Sequence, residues 1–562
     1  MRIPTIKGIL KNEKALLGVV LVFLFSMYVH SISPFPTSNI YFFDNYNTFK
    51  LSDFSRFDNL SNTDNLIYVT LGKSIAEGKG YRDIYHPDDP EQKNFPFMFP
   101  LMLASIILFF GINFFALKVF VSATAIMALY FLYELLSKNM GEKNALLVVL
   151  LTGFSISFFL FAIDTFSEIP FILFSVLSLI FLEKYSVEEK LFGKNLVFLS
   201  ALLLLAFFTR YVGLALIIGG ILFLLAKRST LKEKAGKIIP LLAITLPIVW
   251  LWFWRNSFIK YEPFGYTPGF INLFGSSVEF IMDTVNYNIV FYMNAAANVV
   301  FAGNFFLAQD LFPEMGRVAF TLRTAVVFAV TALVLYSLVK RLLKNREPLE
   351  FYLIVYFAVL LAYPFPIERL IIPIIPFIFY YFTTGFLDLL AKLGNPKLKT
   401  WVFAIVVFFI AISNFHYISI ISTNNSCHYC AGTPVYLQAT DITEMGNFVN
   451  SNGKKFVVST NPVLIYLFGE KQGFLFPVRV EFDTKMEFDR DKFLYKQKDF
   501  PFKFNPEEFK KMVEQCGDDC AYVFAGREEY IQDNSQDTVV IGGMEFAKVN
   551  VNDNFALLER VD

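Results

Sequence analysis

The chain has 562 residues, of which 55% are hydrophobic, 18% aromatic and only 17% charged. This is more apolar surface than a soluble globular core needs or tolerates, so the composition predicts a polytopic, α-helical membrane protein. Lysine plus arginine balances aspartate plus glutamate at 49 each, so the net charge gives no reason to expect a nucleic-acid partner.

The N-terminal segment carries four basic residues, followed by an apolar run from Ala15 to about Val29. No small-residue cleavage site follows this run, so we predict a retained signal-anchor helix rather than a signal peptide. A membrane span needs roughly 20 apolar residues, and this rule yields about eleven spans. They are residues 15–32, 114–136, 145–162, 169–183, 196–209, 212–226, 238–254, 318–340, 350–363, 370–390 and 400–420.

The side of the membrane on which each loop lies depends on residues 97–111, a short apolar stretch that contains Pro100. We predict that this stretch lies in the interface or re-enters the outer leaflet. With that choice, the short loops rich in lysine and arginine fall on the cytoplasmic side together with the N-terminus, as the positive-inside rule requires. These loops are residues 137–144, 183–195, 227–237, 340–347 and 391–399.

Three segments are therefore predicted to lie outside the cell membrane, on its extracytoplasmic side. Residues 33–113 form a first external loop with juxtamembrane helices, and residues 256–317 form another external loop, both within a transmembrane domain of residues 1–423. Residues 424–562, in which short apolar runs alternate with polar residues, form an extracytoplasmic soluble α/β domain.

The C-terminal domain holds all the cysteines of the chain, which are Cys427, Cys430, Cys516 and Cys520. An external, oxidising compartment favours disulfides, either as two local bridges or as a cross-bridged arrangement. A zinc site built from the two close pairs is the alternative.

Asp64 opens a helical pattern in the first external loop, in which Ile67, Leu71 and Ile75 share one face. We expect this amphipathic helix to lie on the membrane surface. Asp64 is then either a simple helix N-cap or a carboxylate held near the headgroups, where it can act as a general base on an acceptor hydroxyl or amine.

Several motifs follow Asp64 in order, namely Tyr68, GKSIAEGKGYRDIY, FPFMFPLMLA (95–104), FFTRYVGLAL (207–216), WRNSFIKYEPFGY (254–266) and ERLIIPIIPF (368–377). Together they resemble the GT-C superfamily of membrane glycosyltransferases, which includes protein O-mannosyltransferases and aminoarabinose transferases. The resemblance implies an external active site, a polyprenyl-phosphate sugar donor and a catalytic role for Asp64. The chain departs from the O-mannosyltransferase pattern because Asn65, rather than a second acid, follows Asp64.

Asp164 and Glu168 lie at the outer end of two predicted spans, four residues apart, so on a helix they would share a face. Carboxylates in or beside a membrane are costly, which favours a functional role. They are predicted to form an acidic rim that positions the acceptor, neutralises an arginine, or binds a divalent cation such as magnesium or manganese together with Asp64. The alternative is that Glu168 only caps the following span.

Arg210, Arg255 and Arg369 each end or interrupt an apolar run on the predicted outer side, where arginine is disfavoured. A guanidinium binds phosphate through two hydrogen bonds, so these residues are predicted to bind the donor phosphate, with Arg369 the first choice. The alternative is that they reach the headgroups of ordinary membrane lipids.

The sequence thus predicts an enzyme that transfers a sugar from a polyprenyl-phosphate carrier to an extracytoplasmic acceptor, with inversion at the anomeric carbon. A secondary transporter is the first alternative, because intramembrane charges also mark ion pathways. A non-catalytic membrane assembly protein is the second.

Overall fold

The computed structural model describes most of the helical domain and the central elements of the C-terminal domain. The described residues are 12–32, 64–190, 192–261, 278–302, 316–363, 368–426, 447–451, 453–459, 462–475, 478–480, 486–489, 494–497, 502–504, 506–525, 537–541, 544–551 and 555–561.

The first domain is built mainly from α-helices. They are Glu13–His30 (α1), Asp64–Ala76 (α2), Met98–Phe110 (α3), Phe114–Met140 (α4), Glu142–Gly153 (α5), Ile156–Ala162 (α6), Glu168–Val187 (α7), Lys194–Thr209 (α8), Leu214–Ala226 (α9), Leu231–Ser257 (α10), Val278–Val300 (α11), Gly316–Lys344 (α12), Pro348–Ala362 (α13), Ile375–Ala391 (α14) and Pro396–Ser426 (α15). Short 3-10 helices, Tyr211–Gly213 and Glu368–Ile374, precede α9 and α14.

The chain is a multi-pass membrane protein. In the described ranges, seven helices are long and apolar enough to cross a membrane, and an eighth span results if α5 and α6, which meet at 67°, count as one. Four shorter apolar stretches, which include α3, α8 and α13, accompany them. Each of the eleven segments predicted as spans is helical, but several are shorter than a bilayer requires by length alone.

Helix α2 of the first external loop is packed within the protein. Residues Asn65 to Gly72 of α2 are all buried, and α2 packs along α3. Gly72 allows this approach, since a Cβ there would lie 3.2 Å from the backbone oxygen of Pro100. Helix α3 and the C-terminal domain cover most of α2, so its polar side chains are not open to solvent; its position at the membrane surface stays a prediction.

The segment 256–317 contains α11, which sequence analysis assigned to an external loop. This helix packs against α12, α13 and α14. The buried Asn288 side chain donates hydrogen bonds to the carbonyl oxygens of Leu360, Leu361 and Tyr363, at 2.8–3.1 Å, and so satisfies the last carbonyls of α13. The helix is thus an integral part of the bundle.

The described strands of the C-terminal domain are Phe456–Ser459 (β1), Gly473–Leu475 (β2), Val478–Val480 (β3), Met486–Asp489 (β4), Leu494–Gln497 (β5), Phe502–Phe504 (β6), Cys520–Ala525 (β7), Thr538–Ile541 (β8), Met544–Val551 (β9) and Phe555–Arg560 (β10). Six of them form a mixed sheet in the order β2-β1-β7-β10-β9-β8. Strand β3 pairs with β6, and β4 pairs with β5. Helices Pro462–Gly469 (α16) and Pro506–Cys516 (α17) complete the described part. An α/β domain is therefore present, as the alternating apolar runs predict.

This domain contacts the first external loop directly. The Gln472 amide donates hydrogen bonds to the Ile84 carbonyl and to Asp89 Oδ1, at 3.2 and 3.0 Å. The backbone N–H of Gly473 donates to the Tyr85 carbonyl, at 2.8 Å. The loop therefore continues the hydrogen bonding at the outer edge of β2, and the two domains meet at this edge.

Close packing of α9 on α13 supplies a test of the fold. A Cβ at Gly219 would lie 2.7 Å from the Cα of Tyr352, whereas a Cβ at Gly220 would meet only the mobile end of the Leu182 side chain. Gly219→Ala should therefore destabilise the protein by about 1–3 kcal/mol, because neither helix backbone can yield locally. The midpoint of thermal unfolding in detergent measures this effect.

Gly220→Ala is the matched control, since it adds the same methyl group to the adjacent residue. We expect its unfolding midpoint to equal or slightly exceed that of the wild type, because alanine favours helix more than glycine does. Equal midpoints for the two variants would show that α9 and α13 do not pack as described.

Candidate active site

Four charged side chains from distant parts of the chain meet at one end of the bundle. Asp64 is the first residue of α2 and Glu168 the first residue of α7. Arg210 directly follows α8, and Arg369 lies in the 3-10 helix that precedes α14. All four residues are thus at the ends of helices, where the chain turns.

Arg369 connects the two carboxylates. Its Nη1 donates to Asp64 Oδ2 at 2.5 Å, and its Nε donates to Glu168 Oε1. The Arg369 guanidinium also lies 4.9 Å from the centre of the Phe166 ring. One arginine is therefore held by two acids and an aromatic face, with its side chain 13% exposed.

Arg210 approaches the same carboxylate from the other side. Its Nη1 donates to Glu168 Oε1 at 2.6 Å and to Ser167 Oγ at 3.0 Å. Ser167 Oγ also shares a hydrogen bond with the Tyr68 hydroxyl, at 3.1 Å. Burial, and then the charge of Asp64, raise the pKa of Tyr68 to about 12, so this phenol stays protonated at neutral pH.

The charges within this cluster balance, with two carboxylates against two guanidinium groups. Glu168 is fully buried, and removing either arginine would leave its charge less compensated, which is a costly state inside a protein. Asp64 is the most exposed of the four, at 21% of its side chain. The buried Glu168 and its two arginines therefore fix the position of the more accessible Asp64 carboxylate.

Asp164 does not join this cluster. The helix expected to carry both acids begins only at Glu168, so Asp164 lies in the preceding turn and the two residues do not share a helix face. Its Oδ1 lies 3.6 Å from the Nζ of Lys118, which is completely buried in α4. Sequence analysis missed Lys118. A lone lysine in the apolar run FFALKVF is a recognisable signal, because a charge within a membrane span favours a functional role.

Arg255 lies in a separate cleft at the end of α10. Its Nη1 donates to the Gln92 carbonyl at 2.6 Å and its Nη2 contacts Glu91 Oε2 at 3.1 Å. The guanidinium lies 5.2 Å from the Trp252 ring, and its side chain is 30% exposed. The cleft has a volume of about 480 Å³ and is lined by Glu91, Trp254, Arg255, Phe258, Ile259, Lys260 and Tyr261.

One segment of the first external loop connects the cleft to the charged cluster. Lys93 donates from Nζ to the Ile259 carbonyl in the cleft wall, at 3.0 Å. Two residues later, the Phe95 ring packs edge-on against Tyr68, with centroids 5.3 Å apart. Tyr68 in turn bonds Ser167, so the cleft and the cluster are connected through a short chain of direct contacts.

The described carboxylates do not form an obvious metal-binding set. No group of three or more His, Cys, Asp or Glu side chains in the described ranges is close enough to hold a metal ion. Glu168 already bonds two arginines, and Asp164 pairs with Lys118, so the acids suggested as ligands are not grouped around one point.

Of the cysteines, Cys516 and Cys520 form a disulfide at the end of α17. Cys427 and Cys430 lie outside the described residues.

Comparisons with known proteins agree with this architecture. A model of the dolichyl-phosphate-mannose-protein mannosyltransferase family matches residues 94–254. The structure of ArnT from Cupriavidus metallidurans in the apo state is similar over 97% of this chain and 98% of that one, with a TM-score of 0.54 and 11% sequence identity.

The same ArnT bound to undecaprenyl phosphate matches over 97% of each chain, with a TM-score of 0.51 and 11% identity. The chain has the GT-C membrane fold. The Archaeoglobus fulgidus oligosaccharyltransferase AglB, in complex with an inhibitory peptide and a dolichol-phosphate, matches over 91% of this chain and 69% of that one, with a TM-score of 0.50 and 14% identity. No curated protein matches the chain by sequence. The GT-C resemblance drawn from the ordered motifs is thus confirmed at the level of the fold.

The first external loop contains a buried carboxyl group whose pKa is raised. Asp83 is fully buried, and the Gln92 amide donates to both of its carboxylate oxygens, at 3.1 and 2.9 Å. Burial raises the pKa of Asp83 to about 7, against the smaller opposing effect of Gln92. Below that pKa the folded protein binds a proton that the unfolded chain has already lost.

Stability should therefore fall as the pH rises from about 4 to above 7, with a slope of up to about 1.4 kcal/mol per pH unit from this group. Asp83→Asn should remove this contribution and flatten the pH dependence of the unfolding midpoint. Glu189→Gln, which neutralises an exposed acid elsewhere in the chain, should leave the dependence unchanged. Equal pH profiles for wild type and Asp83→Asn would contradict the assignment.

Proposed function

We propose that the protein is a glycosyltransferase that moves a sugar from a polyprenyl-phosphate donor to an acceptor on the extracytoplasmic face of the membrane. The observation that carries the proposal is the accessible carboxylate of Asp64, oriented by Arg369 at one end of a GT-C fold. ArnT of the same fold binds undecaprenyl phosphate, and AglB binds a dolichol-phosphate, which supports a lipid phosphate as the donor.

In this proposal Asp64 is the general base. Arg369 bonds Oδ2, and within the described part of the chain no other hydrogen bond to this carboxylate is formed, so Oδ1 is available to accept a proton. The acceptor oxygen or nitrogen attacks the anomeric carbon and gives its proton to Asp64. The bond between that carbon and the phosphate oxygen breaks, and its electron pair leaves with the polyprenyl phosphate. A single displacement of this kind inverts the anomeric configuration.

We assign the donor phosphate to the cleft at Arg255. Arg369 and Arg210 are held by the fully buried carboxylate of Glu168, whereas Arg255 pairs with the half-exposed Glu91, is the most exposed of the three arginines, and shares the cleft with the exposed Lys260. These two cations face one acid, Glu91, which leaves one net positive charge in the cleft lining. That balance suits the single negative charge of a phosphodiester, and a guanidinium stabilises the charge left on the phosphate as the sugar departs.

The surroundings of the cleft suit a lipid-linked ligand. Trp250, Trp254 and Phe258 follow one another along one face of α10, are 52–67% exposed, and have ring centroids 6.0 and 5.1 Å apart. Such aromatic rings are typical of the boundary between hydrocarbon and headgroups. A polyprenyl chain lying along this face would bring its phosphate to Arg255.

The C-terminal domain is connected to the same cleft through one side chain. His86 of the first external loop lies between the rings of Tyr261 in the cleft wall and Phe474 in β2, with centroids 5.2 and 5.3 Å apart. We propose that the domain supports this wall and contributes to binding of the acceptor.

The decisive experiment is transfer of a radiolabelled sugar from a panel of polyprenyl-phosphate sugars in membranes that contain the protein. Asp64→Asn should reduce kcat by about 10²–10⁴-fold, because the amide cannot accept the proton while the hydrogen bond from Arg369 is kept. Product formation is measured with and without a metal chelator, which also tests whether the reaction needs the divalent cation suggested by the sequence.

Asp88→Asn is the control, since it removes a carboxylate from the same external loop whose side chain is 83% exposed. This variant should transfer sugar at the wild-type rate. Full activity of Asp64→Asn would refute the role of Asp64 as base. No transfer from any donor by the wild type would favour a transporter or an assembly protein instead.

A further inference from the structure

A buried ion pair lies next to the proposed active site and has no part in the mechanism above. The Lys118 side chain is fully buried in α4, and that of Asp164 is 5% exposed. Their Nζ and Oδ1 atoms are 3.6 Å apart. An ion pair in this position is costly to bury, and two apolar residues of similar size would stabilise a helix contact as well or better. The charges therefore need an explanation other than stability.

The pair holds the turn between α6 and α7. Asp164 lies in this turn, and its Oδ1 also accepts a hydrogen bond from the Thr165 backbone N–H, at 2.7 Å. One helical turn beyond Lys118, Ser122 donates from its hydroxyl to the Ala162 carbonyl, also at 2.7 Å. Helix α4 therefore contacts the turn at two successive points.

The opposite side of the turn carries the groups that hold the two buried arginines. Phe166 lies beneath the guanidinium of Arg369, and Ser167 accepts a hydrogen bond from Arg210. Glu168, the next residue, bonds both arginines. A shift of the turn would move these three contacts together, and with them the arginine that orients Asp64.

We infer that Lys118 and Asp164 are positioning residues, which set the place of the turn 163–167 and through it the geometry of Glu168, Arg369 and Asp64. The inference rests on the proposed function in one respect, since it concerns the base of that reaction. It assigns to the pair no contact with donor or acceptor. Removing the pair should therefore lower kcat and leave donor binding at Arg255 unchanged.

The test uses the double variant Lys118→Met with Asp164→Asn, which removes both charges at once and keeps an acceptor for the Thr165 N–H. Single variants are avoided, because each leaves one buried charge uncompensated. We expect an unfolding midpoint close to that of the wild type, a kcat at least tenfold lower and an unchanged KM for the donor. A wild-type kcat in a folded double variant would overturn the inference.

The chain offers a matched control on the same two helices. Lys138 of α4 and Glu183 of α7 form an ion pair at 3.3 Å at the far end of these helices, and both side chains are about half exposed. Lys138→Met with Glu183→Gln removes the same number of charges, and should leave kcat and KM at wild-type values.

A second readout does not depend on activity. Hydrogen–deuterium exchange of the peptide that covers residues 161–170 should be faster in the Lys118/Asp164 double variant than in the wild type and in the Lys138/Glu183 control. If the wild type transfers no sugar, the proposed function fails while this measurement still tests positioning. Unchanged exchange would overturn the inference whatever the activity.

Should the double variant not fold, Lys118→Arg takes its place, because it keeps the positive charge while changing the length and shape of the side chain. We expect this variant to fold, with a reduced kcat and faster exchange in the same peptide. Wild-type values of both would again overturn the inference.

Discussion

One end of the helical bundle is organised around one buried carboxylate. Glu168 bonds Arg210 and Arg369, which lie 42 and 201 residues further along the chain. Arg369 then reaches back across 305 residues to Asp64. A fully buried charge tolerates little displacement of its partners, since any gap leaves it uncompensated in a poorly polarisable environment. The ends of three helices and a 3-10 helix are therefore held in one arrangement. This arrangement fixes the position of the accessible oxygen of Asp64.

This constraint divides the three arginines that were predicted to lie outside into two groups. Arg210 and Arg369 are bonded to Glu168 and serve the geometry of the base, whereas Arg255 lies in an open cleft with an exposed lysine and a row of aromatic rings. In the proposed reaction the base and the phosphate must act on opposite sides of one anomeric carbon. Two distinct cationic sites, connected through Phe95 and Tyr68, meet that need better than one shared cluster.

Much of this architecture could be predicted from local features of the sequence. Apolar runs identify the helices because membrane insertion depends on composition within about twenty residues, and acids and arginines at span ends are conspicuous because they are costly there. The grouping of Asp64, Glu168, Arg210 and Arg369 on one face was predicted in this way. Their pairing was not, because it depends on contacts between residues hundreds of positions apart. For the same reason the sequence could not show that Asp164 lies apart from Glu168 and pairs with Lys118. Helix α11 was not recognised as part of the bundle, because its burial depends on contacts with helices that follow later in the chain.

The division of the arginines is the central claim, and binding of a polyprenyl phosphate without its sugar tests it most directly. The affinity of the purified protein for this lipid should fall about 10–100-fold in Arg255→Gln, the loss expected for hydrogen bonds to a charged group. Arg82→Gln is the matched control, because Arg82 also pairs with Glu91 but does not line the cleft; its affinity should equal that of the wild type. Unchanged binding by Arg255→Gln, with the loss appearing instead in Arg369→Gln, would contradict the account.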